Sequence, residues 1–126
     1  MANALVTLKA RNKMLRARAG EIRLPKIVGF AFGDGGVDAT GTPIPPLEEQ
    51  EFLKHELFRK KIDRYKMLSL TQCRYTCTLL HTELVGKNIS EIAIYDEDGD
   101  LIAIKTFRAK GKDDDLEMEF QLDDTF

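Results

Sequence analysis

Ile-Ser-Glu-Ile-Ala-Ile-Tyr-Asp-Glu-Asp-Gly-Asp-Leu-Ile-Ala, residues 89–103, carries the clearest structural signal in the chain. Two runs rich in β-branched residues, 89–95 and 101–107, flank the acidic segment 96–100. Asp-Gly between such runs is one of the strongest short-range signals for a β-hairpin, because these residues tolerate the positive φ angles of a tight turn. The stretch therefore predicts two antiparallel strands joined by a short acidic loop.

Further strands are predicted on both sides of this hairpin. Residues 72–79 and 116–122 alternate between apolar and polar side chains, which is typical of a strand with one wet face. The short apolar run 26–32 predicts a buried strand. The apolar side chains of the last run, which we expect to be buried, are Leu116, Met118, Phe120 and Leu122.

The segment between these strands is harder to interpret. Residues 33–47 contain several glycines and prolines, which predict a loop because proline removes backbone donors and glycine permits positive φ. Residues 48–68 permit either a helix or an exposed strand. We favour a short helix near residues 47–54, followed by a strand.

The N-terminal segment is predicted to be a helix over residues 3–19. Leu5, Leu8 and Leu15 recur at helical spacing, and Gly20 is a natural C-terminal stop. We expect these leucines to pack on a sheet. The fold class that follows is α+β, with an N-terminal helix packed on a mostly antiparallel β-sheet or sandwich of five to six strands, and residues 1–126 as a single domain.

Composition narrows the class of protein. The 126 residues are 43% hydrophobic and 32% charged, as in an ordinary globular domain, and two cysteines are too few for a disulfide framework. Lys9, Arg11 and Lys13 interrupt the N-terminal apolar stretch too early for a secretory signal. No apolar run is long enough to span a membrane. We therefore expect synthesis in the cytoplasm and no membrane partner.

Charge is unevenly distributed along the chain. Residues 1–30 hold seven basic side chains and one acidic, a balance of +6, whereas residues 91–126 hold twelve acidic and four basic, a balance of -8. Such a split indicates an interaction surface for nucleic acid, membrane or another protein, and two solvated faces are the alternative. It has no evident use in a lone monomer. The residues proposed for a protein interface are Lys9, Arg11, Lys13, Arg16, Arg18 and Asp34.

Cys73, Cys77 and His81 are spaced by four, which on a helix would stack them as metal ligands. On a strand, residues four apart are separated by ~13 Å, too far to share one ion. The alternation around them favours the strand. We therefore predict core cysteines, and neither a catalytic pair nor a cofactor is evident.

Two loops resemble ligand-binding motifs. Residues 96–100 resemble the start of a calcium loop, but Leu101 and Phe107 stand where the EF-hand needs glycine and a bidentate glutamate. The Gly-Asp-Gly-Gly segment 33–36 resembles a phosphate loop, but no predicted helix follows it. We predict no metal or phosphate at either loop.

Three stretches, in order, give the sequence a family resemblance. They are residues 27–36, residues 53–62 (Leu-Lys-His-Glu-Leu-Phe-Arg-Lys-Lys-Ile) and residues 89–103. Together they resemble the N-terminal domain of phage tail-collar fibre proteins over nearly the whole chain. Ala93 stands where the family usually has glycine, and the family's domain normally opens a long fibre whereas this sequence stops at Phe126. A truncated fibre and a free-standing adaptor both remain open.

The resemblance implies a non-catalytic structural protein that docks a receptor-binding fibre onto the baseplate of a phage or phage-like tail. It implies tail, baseplate or fibre proteins as partners and a homo-oligomer, with a trimer as the family's usual state. The alternative is a small nucleic-acid or regulatory binding domain that uses the basic N-terminal helix. Against it stand the acidic C-terminal third and the lack of a stacking-aromatic motif.

Overall fold

The computed structural model describes residues 4–126, which form one helix and eight strands in two antiparallel sheets. The elements are β1 (Leu5–Val6), α1 (Leu8–Arg18), β2 (Ile27–Gly33), β3 (Glu56–Lys61), β4 (Arg64–Ser69), β5 (Gln72–Leu79), β6 (Asn88–Asp96), β7 (Leu101–Gly111) and β8 (Met118–Thr125). One sheet has the order β1-β7-β6-β2-β3 and the other β4-β5-β8. The predicted α+β class is confirmed.

The predicted acidic hairpin is present as β6 and β7. The Asp96 carboxylate accepts hydrogen bonds from the backbone N–H groups of Asp98 (3.0 Å) and Asp100 (3.1 Å). Gly99 has a φ of +84°, which a residue with a side chain rarely adopts. The turn is therefore closed by its own sequence, as the Asp-Gly signal indicated.

The core lies between the two sheets. Phe32 of β2 and Phe120 of β8 meet edge to face with ring centroids 5.3 Å apart, and Leu122 is also buried. The predicted burial of Phe120 and Leu122 is confirmed, and Met118 is partly buried. The prediction for Leu116 is wrong, because this residue lies between the acidic residues 113–115 and β8 and is 41% exposed.

The N-terminal helix is shorter than predicted and packs differently. Leu5 belongs to β1 and pairs with Ile104 of β7, and Asn3 lies outside the described residues. Leu8 and Leu15 are 45% and 62% exposed, so the expectation that they pack on the sheet is wrong. The helix instead buries Ala10, because polar contacts described below orient it toward the hairpin.

No helix forms over residues 47–54, which corrects the favoured prediction. The Lys54 N–H, which a helix over these residues would use, donates instead to Glu91 at 2.9 Å, and the Gln50 amide donates to the Phe52 carbonyl at 2.7 Å. Residues 56–69 then form two strands instead of one. With the short β1, this gives eight strands in the described chain instead of five or six.

Candidate functional site

The start of α1 is fixed to β7 by one threonine. Thr7 caps the helix, because its hydroxyl oxygen accepts from the Ala10 N–H at 3.1 Å and its hydroxyl donates to the Leu101 carbonyl at 2.9 Å. The first turn of a helix has free N–H groups that such a cap satisfies. The cap therefore joins the helix to the first residue of β7.

Lys13 fixes the middle of the helix to the acidic turn. Its ammonium lies 2.6 Å from an Asp96 oxygen, 2.7 Å from an Asp100 oxygen and 3.0 Å from an Asp98 oxygen. The Lys13 side chain is 12% exposed and the Asp96 side chain 1%. Burial lowers the pKa of Lys13, but hydrogen bonds to Asp100, Asp96 and Asp98 outweigh it, so the pKa is raised. The hydrogen bond between Lys13 and Asp100 also lowers the pKa of Asp100.

The acidic turn thus has the geometry of a cation site, and the cation is Lys13. Oxygens of Asp96, Asp98 and Asp100 lie within 4.8 Å of one another, close enough to hold a metal ion. The ammonium bonds to all three carboxylates. The resemblance of residues 96–100 to a calcium loop therefore reflects a real convergence of carboxylates, whose charge the helix balances.

The glycine-rich loop has the opposite arrangement, with an internal anion. Glu91 is fully buried, and its carboxylate accepts from the backbone N–H groups of Gly35 (2.8 Å), His55 (2.9 Å) and Lys54 (2.9 Å). The chain approaches this strand so closely that a Cβ on Gly36 would lie 2.1 Å from the Ser90 carbonyl oxygen. Within the segment that resembled a phosphate loop, the Gly35 N–H therefore binds a carboxylate of the same chain, and the Gly36 N–H donates to the Ser90 hydroxyl at 2.9 Å.

The role of Glu91 was not evident from the sequence. One signal was available, since this glutamate interrupts an apolar run in a predicted strand. Buried charged groups are rare unless they are bonded. A glutamate at such a position therefore indicates donors in another segment, although it does not identify them.

Most of the basic side chains proposed for an interface are paired within the chain. Lys9 lies 3.1 Å from Glu51 and 3.2 Å from Asp100, and Arg11 lies 2.5 Å from Glu48. The contacts of Lys9 and Lys13 with the aspartates of residues 96–100 bring the basic and acidic parts of the sequence together in one molecule. The expectation that the charge split has no use in a monomer is therefore wrong.

The basic side chains in the last turn of α1 form fewer ion pairs with the rest of the described chain. Arg16 lies 3.6 Å from Glu21, and Arg18 forms no ion pair within residues 4–126. The solvent side of the helix, here called the outer helix face, lines a shallow depression of about 450 Å³. Its residues are Leu8, Arg11, Asn12, Met14, Leu15 and Arg18.

Asp34 does not join this surface. It lies in the glycine-rich loop and contacts the imidazole of His55. No hydrogen bond or ion pair in the described chain links it to the five basic residues of the proposed interface.

The cysteines are not arranged as a metal site. Cys73 and Cys77 lie on β5, with Cys77 fully buried, and His81 lies beyond the strand near Glu117. Burial raises the pKa of the Cys77 thiol to about 12, which opposes formation of the thiolate needed for metal binding or nucleophilic attack. The second group of clustered carboxylates in residues 4–126 is the exposed acidic turn 113–115.

These features define a strand-rich α+β domain whose two ligand-like loops are filled by its own charged side chains. The family described as phage tail-collar fibre protein, N-terminal, matches residues 1–121. The chain belongs to this family, which gives it a structural role in a phage tail fibre and a place in the virion tail. No curated protein and no solved structure matches the chain. Within the described residues, no helix is long and apolar enough to cross a membrane.

Proposed function

We propose that the chain is a single attachment domain that docks a receptor-binding fibre onto the baseplate of a phage or phage-like tail, without catalysis. The observation that carries this proposal is the family match, which extends over the helix and both sheets as far as residue 121. The protein would be made in the cytoplasm of the bacterial host and would act in the assembled tail.

The internal charge contacts support such a role. A docking domain must present its surface in a fixed orientation, and Lys13 holds α1 on the β6–β7 turn while Glu91 holds the glycine-rich loop on β6. Buried ionic contacts contribute little net stability compared with apolar packing, but they can specify one arrangement of the elements. The contacts therefore suit a domain that positions its partners.

The proposed interface centres on the basic helix. Lys9, Arg11 and Lys13 balance acidic groups of the same chain, so they shape this surface rather than bind the partner with free charge. Arg16 and Arg18 remain at the open end, beside exposed apolar residues. This surface suits an acidic partner, either a tail protein or a neighbouring copy, because opposite charges steer association and fix register.

A homo-oligomer, with a trimer favoured, completes the proposal. Fibre attachment to a tail requires a defined number of copies, and closed cyclic symmetry supplies it. The nucleic-acid alternative has less support, because binding to phosphates requires basic side chains that are free to replace counterions. Four of the five basic residues of the proposed interface form ion pairs within the described chain instead.

Complementation of particle assembly tests the proposal. Particles made without this chain are expected to have complete tails that lack fibres, and the wild-type chain is expected to restore them. An Arg16→Glu/Arg18→Glu variant is expected to fold but to restore few fibres. Arg23→Glu is the control, because this side chain is 85% exposed and lies outside α1. Normal fibres on particles that lack the chain would contradict the proposal.

A further inference from the structure

The three-stranded sheet continues beyond the core and leaves part of one face uncovered. Cross-strand partners share a face of a sheet, so the register places Tyr65 beside Tyr75, and Cys73 between Met67 and Asp124. Tyr65 is 64% exposed and Met67 56%. We call these five residues the outer sheet face.

This face contains a polar group that the described chain does not satisfy. One carboxylate oxygen of Asp124 is buried and has no hydrogen-bond partner within residues 4–126, and burial raises the pKa of this carboxyl group. A buried acceptor without a donor is unfavourable. Its neighbour Asp123, on the opposite face, is bound by Arg74 at 2.8 and 3.0 Å. The outer sheet face therefore combines exposed apolar side chains with a carboxyl group that forms no ion pair within residues 4–126.

The outer helix face offers complementary groups. Leu8 and Leu15 are exposed, and Arg18 has no ion pair in the described part of the chain. A guanidinium can donate two hydrogen bonds to a carboxylate and can also stack on a tyrosine ring. Leu8 and Leu15 present apolar groups that can pack against the exposed Tyr65 and Met67. Both surfaces thus carry exposed apolar side chains, and Arg18 on one and Asp124 on the other have opposite charges.

We propose that the outer sheet face binds the outer helix face of a second copy of this chain, with Arg18 of one copy bonded to Asp124 of the next. The inference rests on the proposed function, and it names the neighbouring copy as the partner of the basic helix. Helix α1 packs on β7, whereas the outer sheet face belongs to the other sheet. Since the contact joins two different surfaces, it is head-to-tail and closes into a ring when the rotation between copies permits.

Charge reversal tests the contact. Light scattering on the purified chain is expected to show a closed oligomer for the wild type, and monomers for Arg18→Asp and for Asp124→Arg. Loss of a buried charge pair at an interface is expected to raise the dissociation constant roughly 30-fold or more. The double variant Arg18→Asp/Asp124→Arg is expected to regain the oligomer, because the reversed charges attract again.

Matched variants separate the contact from general charge effects. Arg23→Asp and Asp114→Arg carry the same charge changes at exposed positions outside both faces and are expected to remain oligomeric. Circular dichroism establishes that each variant folds. A wild type that is monomeric in solution, single variants that stay oligomeric, or a folded double variant that stays monomeric would each overturn the inference. Fibres restored by the wild-type chain on particles would show in that case that the proposed function stands without it.

Discussion

At the scale of single residues, Lys13 connects the helix to the rest of the domain. Its ammonium is shared by three carboxylates, of which Asp96 is buried and Asp98 is exposed. Removal of one partner from a buried ion pair is more harmful than replacement of the whole pair, because the remaining charge is left without compensation. The stability of this part of the fold is therefore expected to depend on one side chain.

Replacement of Lys13 by methionine tests this dependence. We expect Lys13→Met to lower the free energy of unfolding by about 3 kcal/mol, the low end for a broken buried pair, because water reaches the cluster at Asp98. Denaturant titration measures the loss. Lys9→Met is the control, since its ion pairs are exposed, and a small effect is expected. Added calcium is expected to stabilise Lys13→Met but not the wild type. Equal losses of unfolding free energy in Lys13→Met and Lys9→Met would contradict the role assigned to Lys13.

Acid provides a second test of the same cluster. The hydrogen bond from Lys13 lowers the pKa of Asp100 from 3.8, and Arg74 lowers that of Asp123 in the same way. Their contribution is therefore present above the unfolded pKa and is lost as the pH falls through the folded pKa. Asp124 acts in the opposite direction, because its pKa is raised.

We expect the free energy of unfolding to be lower at about pH 3 than at about pH 7, and the difference to be smaller in Lys13→Met. The pKa of Lys13 is raised from 10.5, so its own contribution is retained up to that pH and declines only above it. Urea unfolding at each pH provides the measurement. An acid loss of the same size in both proteins would show that Lys13 does not set the pKa of Asp100.

Glu91 is the second residue with a large expected effect. The Glu91→Gln substitution keeps the shape but replaces one acceptor oxygen by an amide donor, which then faces backbone N–H groups of residues 35, 54 and 55. Buried donors left without a partner cost about 1–3 kcal/mol. Hydrogen exchange is expected to accelerate at Gly35 and His55, and Glu117→Gln at an exposed site is expected to leave them unchanged. Unchanged protection in Glu91→Gln would refute the role of this carboxylate.

At the scale of secondary-structure elements, β8 joins the small sheet to the core. Phe120→Ala is expected to lower the free energy of unfolding by ~3–5 kcal/mol, because the ring packs against Phe32 and Phe107 and leaves a cavity when removed. Leu116→Ala, outside the strand, is expected to change it by less than ~1 kcal/mol. Thermal unfolding monitored by circular dichroism compares the two. Similar losses would place the alternating run in a different register.

The strands were predictable where the pattern is local. The Asp-Gly hairpin and the strands β5 and β8 are predicted by patterns that extend over only a few residues of sequence. The segment 47–54 was not predictable, because the N–H of its last residue, Lys54, is bound by Glu91, a residue almost forty positions away. Helix α1 was predicted correctly as a helix, but its orientation was predicted wrongly. Its leucines suggested the face that packs on the sheet, whereas Lys13 determines which face does so.

The sequence identified the basic residues of the candidate site but not the contacts that they form. The basic residues of the N-terminal third were identified, but their partners were not, because the carboxylates at 96–100 lie more than eighty positions away from Lys13. The sequence placed opposite charges at the two ends of the chain, and the prediction that this split has no evident use in a lone monomer was wrong. In the fold they meet across the α1–β7 contact.

At the scale of the whole molecule, the described chain uses its own charges to close the two loops that resemble ligand sites. Lys13 takes the position of a cation and Glu91 that of an anion. The surfaces that remain open are an apolar and basic helix face and an apolar and acidic sheet face. This division, with the family match, is the basis for the proposed attachment role, in which the binding energy would come from protein partners.

The most direct test of that role is the location of the chain in intact particles. Antibodies against the purified chain, labelled with gold, can be bound to assembled tails and observed by electron microscopy. We expect the label at the baseplate end, where fibres join the tail, and none on particles that lack the chain. Label on the capsid or along the tail tube, or particles with fibres that contain none of this protein, would contradict the attachment role.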